Sequence, residues 1–175
     1  MLEIYLTQNS YIRKKIEILS ANYAKNFQIA TTPSGKPYIV GNPFYFSVTH
    51  SFDRAMIALC DAPVGIDLEF INDSRRYYHV LSRFTDREKL WINGDSERFF
   101  MNWTAKEAYI KMLGGTLASW LKRLEFANGV LYFDREKTNC ALAHKKTDNN
   151  GICCICAYDR SYQRLAQKAE INLID

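Results

Sequence analysis

The sequence predicts an α+β fold made of two similar α/β lobes in pseudo-twofold arrangement, each a small, mostly antiparallel sheet packed with a helix. Three observations lead there. Short runs of alternating apolar residues fall toward both ends of the chain, helical spacing dominates its middle, and turn-forming residues punctuate the runs. The 175 residues suffice for one sizeable core or for two small lobes sharing one, so the chain is read as a single unit with lobes of roughly 1–71 and 72–175.

Taken in order, Leu2, Ile4 and Leu6 alternate as a first strand, after which Ile12, Ile16, Leu19 and Tyr23 recur at helical spacing and predict a helix from Tyr11 to Phe27. The turn-rich stretch TTPSGKPYIVGNP leads into FYFSVTH. There Phe44, Phe46 and Val48 alternate with Tyr45, Ser47 and Thr49, which predicts a half-buried strand ending at His50. RAMIALC and VGIDLEF follow as two strands, and the short connection Asp61-Ala62-Pro63 permits an antiparallel hairpin between them. From Asn72 to Leu113 composition and spacing are mainly helical. LEFANGVLYF then sets Asn-Gly between two apolar runs, a strong hairpin signal, and GICCICAY supplies another strand behind the polar DNNG. No fixed-period repeat, low-complexity segment or long linker interrupts this order.

With 47% apolar and 24% charged residues the composition is that of a globular protein rather than a disordered one. No stretch approaches the roughly 18 uninterrupted apolar residues of a membrane span, and MLEIYLTQNSYIRKK lacks a cleavable signal layout, so the cytoplasm is the expected address. The five cysteines form no paired CxxC spacing and three of them crowd into ICCIC, which points to reduced core thiols rather than a disulfide framework or a zinc site. A formal charge of +4 is spread over small clusters at Arg13-Lys14-Lys15, Arg75-Arg76 and Lys145-Lys146. Such clusters serve a solvated face or an anionic partner equally well, and charge alone does not choose.

In VGIDLEF the residues Ile66, Leu68 and Phe70 occupy one face of a strand and Gly65, Asp67 and Glu69 the other. Two carboxylates side by side are costly unless a cation lies between them. A hard divalent ion with oxygen ligands is one solution; a wet strand face is the plain structural alternative. The segment SERFFMNWTAKEAYIKMLGG predicts a helix beginning near Ser96 and stopping before Gly114, where glycine takes the left-handed cap. Phe99, Trp103, Ile110 and Leu113 share one arc of it, with Lys106 and Glu107 inside that arc and Lys111 at its border. Charges on an apolar arc need partners or a ligand to offset desolvation. Glu107 and Lys111, four residues apart, also fit an ordinary ion pair. Met101, Ala105, Ala108 and Met112 form a second, weaker stripe.

VGIDLE followed by FFMNWTAKEAYIKMLGGTL resembles the two signature motifs of the Sfp-type 4′-phosphopantetheinyl transferases, GxDxE and WxxKEAxxK with its trailing glycines and leucine. Upstream, SGKP and FSVTHS resemble that family's Gly-Lys-Pro and Asn-x-Ser-His-Ser elements, so the resemblance runs in order from Gly35 to Leu117. It implies a monomeric enzyme that moves the 4′-phosphopantetheine moiety of coenzyme A to a serine of an apo acyl or peptidyl carrier protein, with Mg²⁺, releasing adenosine 3′,5′-bisphosphate. Neither nucleic acid nor membrane enters this picture. Asp67 and Glu69 would be magnesium ligands, and Glu107 either a third ligand or the base that takes the serine proton through water. Lys106 and Lys111 would hold the pyrophosphate of coenzyme A, Thr49 and His50 its nucleotide phosphates, and Lys36 and Pro37 the adenine edge. Attack on the β-phosphorus builds negative charge on phosphate oxygens, which such cations stabilise. Glu88, in RFTDREKL, resembles a family acid placed near the metal, with a solvated helix face as the alternative; His79 and His144 receive no role.

Two departures from the family pattern stand out. Ser47 and Thr49 occupy the places of the family's Asn and first Ser, and the 33 residues before SGKP are fewer than is usual, without a basic segment ahead of the first helix. Arg13, Lys14 and Lys15 are then the candidates for the 3′-phosphate, and weak discrimination against dephospho-coenzyme A is expected. A metal-dependent nuclease would want a lysine two residues after the strand acid, where Phe70 and Ile71 follow Glu69 instead. A non-catalytic module binding a carrier or coenzyme A would have lost a metal carboxylate or the motif lysine, whereas Asp67, Glu69, Glu107 and Lys111 are all present.

Overall fold

The computed structural model of the chain describes residues 1–11, 14, 16, 17, 28–41, 44–71 and 78–174. Most of the helix expected from Tyr11 to Phe27, with Arg13 and Lys15, lies outside the described residues, as do Arg75 and Arg76; Lys14, Ile16 and Glu17 are helical. The strands are β1 (Leu2–Gln8), β2 (Ile29–Thr31), β3 (Pro37–Ile39), β4 (Tyr45–Ser51), β5 (Arg54–Cys60), β6 (Val64–Phe70), β7 (Leu124–Ala127), β8 (Val130–Phe133), β9 (Glu136–Lys137), β10 (Ala141–Thr147), β11 (Gly151–Ala157) and β12 (Ile171–Leu173). The described α-helices are α1 (Tyr78–Leu81), α2 (Asp86–Ile92), α3 (Ser96–Leu113), α4 (Leu117–Trp120) and α5 (Gln163–Lys168).

This is the expected α+β class with small sheets, antiparallel except for the parallel pairing of β1 with β12. One sheet runs β12-β1-β5-β4 and a second β10-β11-β6. The hairpin expected across Asp61-Ala62-Pro63 does not form. Both edges of β5 are taken, by β1 and by β4, so the connection carries the chain out of the first sheet, and β6 pairs with β11 in the second. The hairpin at Asn128-Gly129 does form between β7 and β8, with φ of 53° and 74° at its two central residues.

Both sheets bury a face in one core, where Ile4, Met56 and Ala58 meet Ile66, Leu68 and Ile155. The far face of the first sheet packs Phe46, Ile57 and Leu59 with Ile16. The far face of the second packs Cys154 and Cys156 against Ala105, Ala108 and Met112 of α3. The five cysteines are free thiols, and β11, which holds three of them, is buried along its whole length.

Strand β4 is buried on both faces rather than half-buried, because Ser47, Thr49 and Ser51 point toward β6. As an edge strand β6 has outward backbone N–H groups with no ladder partner, and hydroxyls of β4 meet them. Ile66 N donates to Ser47 Oγ at 3.1 Å and Leu68 N to Thr49 Oγ1 at 3.3 Å. The two sheets are thus joined side by side through side chains.

Helix α3 begins where Asp95 accepts from Arg98 N and ends at Gly114 with φ 75°, as its cap residues dictate. Its buried residues run all round the helix. The second stripe, with Ala105, Ala108 and Met112, is the one seated on the second sheet, whereas Leu113 is exposed.

Candidate active site

Alternation on β4 and β6 sets two short columns side by side, Ser47, Thr49 and Ser51 against Gly65, Asp67 and Glu69, and α3 lies over both. The helix approaches so closely because residue 65 has no side chain: a Cβ there would stand 1.9 Å from the Ala108 carbonyl oxygen. Lys111, one helical turn from Glu107, reaches down from α3. Its Nζ donates to Asp67 Oδ1 at 2.6 Å and to Thr49 Oγ1 at 3.0 Å. Thr49 in turn donates to Asp67 Oδ1 at 3.0 Å, and Ser51 Oγ donates to Glu69 Oε2 at the same distance.

The carboxylates are held in a poorly solvated, mutually repelling group. Burial pushes Asp67 up against the pull of Lys111 and Thr49. Glu69 is raised by burial and by the Asp67 charge, with Ser51 opposing. Glu107 is raised to about 7, first by burial and then by Asp67, with Lys111 opposing and Glu69 adding to the rise. Asp67 Oδ2 is buried and without a hydrogen-bond partner among the described residues. An unsatisfied buried carboxylate oxygen in such a cluster is the acceptor a cation would complete.

Beside this cluster lies a cavity of about 210 Å³, lined among others by Lys36, Pro37, Ser47, Lys111 and Gly114. Gly35, at φ 87°, turns the chain between β2 and β3 so that Lys36 meets the end of α3, where its Nζ donates to the Met112 carbonyl at 2.6 Å. That bond satisfies one of the carbonyls a helix leaves open at its C-terminus. Burial lowers Lys36 to about 8. A larger concavity, about 690 Å³ beside Arg87, Lys122, Glu125 and Arg135, contains none of the candidate residues. The candidate residues gather at the smaller one.

Asp67, Glu69, Glu107, Lys111, Thr49, Lys36 and Pro37 are therefore brought to one region, and Lys106, Glu88 and His50 are not. Lys106 is fully buried and bonded to Glu88, also fully buried, at 2.7 Å and 2.9 Å, with the Phe84 ring 4.0 Å from its ammonium. Five residues along a helix turn a side chain by about 140° relative to Lys111, so the expectation that both lysines hold one pyrophosphate is corrected. Glu88 is corrected with it, being neither solvated nor in the acid cluster. Besides Lys106 it accepts from Phe126 N at 2.8 Å and Thr85 N at 2.9 Å, which ties α2, α3 and β7 together. His50 is exposed and leaves β4 on the face opposite Thr49, so the two do not line one surface.

Ser51 and Ser47 are site residues that the sequence reading left without a role. Their signal was available: with Thr49 they form a hydroxyl at every second position of one strand. Among the described residues no three His, Cys, Asp or Glu side chains stand around one point as a finished metal cage. Mg²⁺ asks for less, one or two carboxylates with water and phosphate oxygens, and the donor set fits it.

Comparison with known proteins identifies the family of the segment that carries most of these residues. Residues 63–156, from β6 into β11 and including all of α3, match the family model described as 4′-phosphopantetheinyl transferase superfamily. The chain is 31% identical over 128 residues to the L-aminoadipate-semialdehyde dehydrogenase-phosphopantetheinyl transferase of Pongo abelii, covering 62% of this chain and 41% of that protein. It is 25% identical over 147 residues to the 4′-phosphopantetheinyl transferase gsp of Aneurinibacillus migulanus, covering 75% and 59%. It is 34% identical over 96 residues to the 4′-phosphopantetheinyl transferase psf-1 of Bacillus pumilus, covering 48% and 38%. The chain thus spans 38–59% of the length of these relatives. With a family match over more than half of its residues, taking in the strand acids and the helix laid across them, this chain belongs to the 4′-phosphopantetheinyl transferase superfamily.

Proposed function

We propose that this chain transfers the 4′-phosphopantetheine moiety of coenzyme A to a serine hydroxyl of an apo acyl or peptidyl carrier protein, releasing adenosine 3′,5′-bisphosphate, and that it acts as a monomer in the cytoplasm. The observation that carries the reading is the acid cluster with its orphaned Asp67 oxygen, set directly under Lys111 within the matched segment. No helix among the described residues is long and apolar enough to cross a membrane.

Asp67 and Glu69 would hold Mg²⁺, with Glu107 as a third ligand or as the base. Bound there, the ion would neutralise charge on the pyrophosphate oxygens as the leaving group departs. The chain's own residues do the rest. Thr49 and Ser51 fix the two strand carboxylates in orientation, and Lys111 and Lys36 present ammonium groups to the cavity where a pyrophosphate would lie. Glu107, held near neutrality, is able to accept the serine proton on a carboxylate oxygen and release it again at cellular pH. Transfer needs no covalent enzyme intermediate, so positioning and charge stabilisation carry the rate.

The test is incubation with coenzyme A, Mg²⁺ and a panel of apo carriers, followed by weighing the carriers. A mass gain of one phosphopantetheine on a serine is expected. Lys111→Ala should lower kcat/KM by about a hundredfold to a thousandfold, the scale of a charge contact that strengthens in the transition state. A folded Lys111→Ala protein of near-normal rate would show that Lys111 merely neutralises Asp67. Failure to modify any carrier would remove the transferase reading.

A further inference from the structure

Each of the two strand acids is held by one donor from β4 and one from α3. Asp67 Oδ1 accepts from Thr49 Oγ1 at 3.0 Å and from Lys111 Nζ at 2.6 Å. Glu69 repeats the arrangement two residues on: Ser51 of β4 donates to its Oε2 at 3.0 Å, and the indole N–H of Trp103 of α3 donates to its carboxylate. Trp103, Glu107 and Lys111 follow one another at four-residue intervals, so they form one slanted row along the helix. Gly65, lying under Ala108 and Met112, sets the register of that row on β6, with Lys111 over Asp67 and Trp103 over Glu69.

The rest of the Trp103 side chain is built into ring packing. Its plane is tilted only 12° from that of Phe99 and 13° from that of Phe84, with centroids 6.3 Å and 6.5 Å away, and those two rings stack on each other at 5.5 Å. The Lys106 ammonium, held by Glu88 in their buried pair, stands 4.0 Å from the Phe84 ring. A phenylalanine at position 103 would complete the same stack. What the indole adds is one N–H, a donor without acceptor capacity. Aimed at a carboxylate, it restricts rotation while leaving room for a cation: an ionised carboxylate offers about four lone-pair positions, and Ser51 and Trp103 occupy two. Outer partners of this kind orient ligating carboxylates. Resting on the Mg²⁺ reading above, we propose that Trp103 is a positioning residue for the divalent ion: its N–H, aimed by the stack with Phe84 and Phe99, holds the Glu69 carboxylate in the orientation that receives the ion together with the open Asp67 Oδ2.

Trp103→Phe keeps a ring in the stack and deletes the N–H. Mg²⁺ is titrated into the coenzyme A complex with the thermal shift as readout, and Mn²⁺ binding to the protein alone is followed by electron paramagnetic resonance. The half-saturating metal concentration should rise about tenfold or more in Trp103→Phe, the scale of losing an outer partner of a metal ligand, and by a similar factor in Ser51→Ala. Transfer should slow at low Mg²⁺ and largely recover at saturating Mg²⁺, with KM for coenzyme A unchanged. Trp91→Phe makes the same exchange where the ring packs on Phe126, and should lower the melting temperature without moving the metal concentration. A folded Trp103→Phe protein with wild-type metal affinity would overturn the proposal and leave Trp103 as packing. Wild-type protein that takes up neither Mg²⁺ nor Mn²⁺ would remove the metal reading itself, and this proposal with it. Should Trp103→Phe fail to fold, the indole N–H resonances of the three tryptophans in wild-type protein decide, Trp91→Phe and Trp120→Phe identifying that of Trp103 by elimination. That resonance should shift when Mg²⁺ is added to the coenzyme A complex, and one that stays in place would overturn the assignment.

Discussion

Glu107 shows what a single side chain contributes when its neighbours are acids. Burial and the charges of Asp67 and Glu69 raise it from 4.5 to about 7 against the pull of Lys111. Between those two values the folded protein keeps a proton that the unfolded chain has released. Stability therefore falls as pH rises through that window and stays reduced above it. In metal-free protein Glu107→Gln should remove the penalty, raising stability at about pH 8 by roughly 1–3 kcal/mol after allowance for partial solvent access, and changing little below about pH 4. Melting temperatures across that range check it. A variant no more stable than wild type at high pH would mean that Lys111 already compensates the charge. The pair Glu107 and Lys111 was legible as residues four apart, but its partner choice was not: Lys111 turns to Asp67 on another element, and spacing within one helix carries no information about that.

At the scale of elements, Gly65 decides how α3 meets β6. The atoms that a Cβ would strike, Ala108 O at 1.9 Å and Met112 N at 2.6 Å, are backbone and cannot swing aside. Gly65→Ala should therefore lift the helix, costing about 1–3 kcal/mol or more as overpacking does, and should part Lys111 from Asp67. Because misplacement of about an ångström can cost a hundredfold in rate, activity should fall by that order even where the protein still folds. Normal kinetics in a folded Gly65→Ala protein would show that the close approach is dispensable. From the sequence, alternation did place Asp67 and Glu69 on one face and the cap residues did place the ends of α3. The hairpin of β5 with β6 was misread because a three-residue connection permits pairing without saying whether an edge is free. The charged residues of α3 were read against one arc, whereas its buried residues surround it, so Lys106 finds Glu88 rather than a ligand.

Across the whole molecule the site is assembled from pieces far apart in the chain: Lys36 from the turn after β2, Thr49 and Ser51 from the first sheet, Asp67 and Glu69 from the second, Glu107 and Lys111 from α3. Its motifs were legible because each is local. The meeting of β4 and β6 through Ser47 and Thr49 was not, since nothing in either strand names the other. A ligand that touches all these pieces holds both sheets and the helix in register, so its binding free energy should appear as stability of the entire fold. For a ligand at about one hundred times its Kd the increment is about 2.7 kcal/mol, which in a chain of this size raises the melting temperature by roughly 5–11 °C. Coenzyme A alone should give part of this through Lys36 and Lys111. Mg²⁺ added to the coenzyme A complex should give a further rise that depends on Asp67, whose unpartnered oxygen has no other evident use. In Asp67→Asn, which keeps the shape and removes the charge, the coenzyme A increment should persist while the Mg²⁺ increment disappears. Thermal shift with coenzyme A, Mg²⁺ and both together measures the two separately. A Mg²⁺ increment that survives in Asp67→Asn would place the ion away from the strand carboxylates.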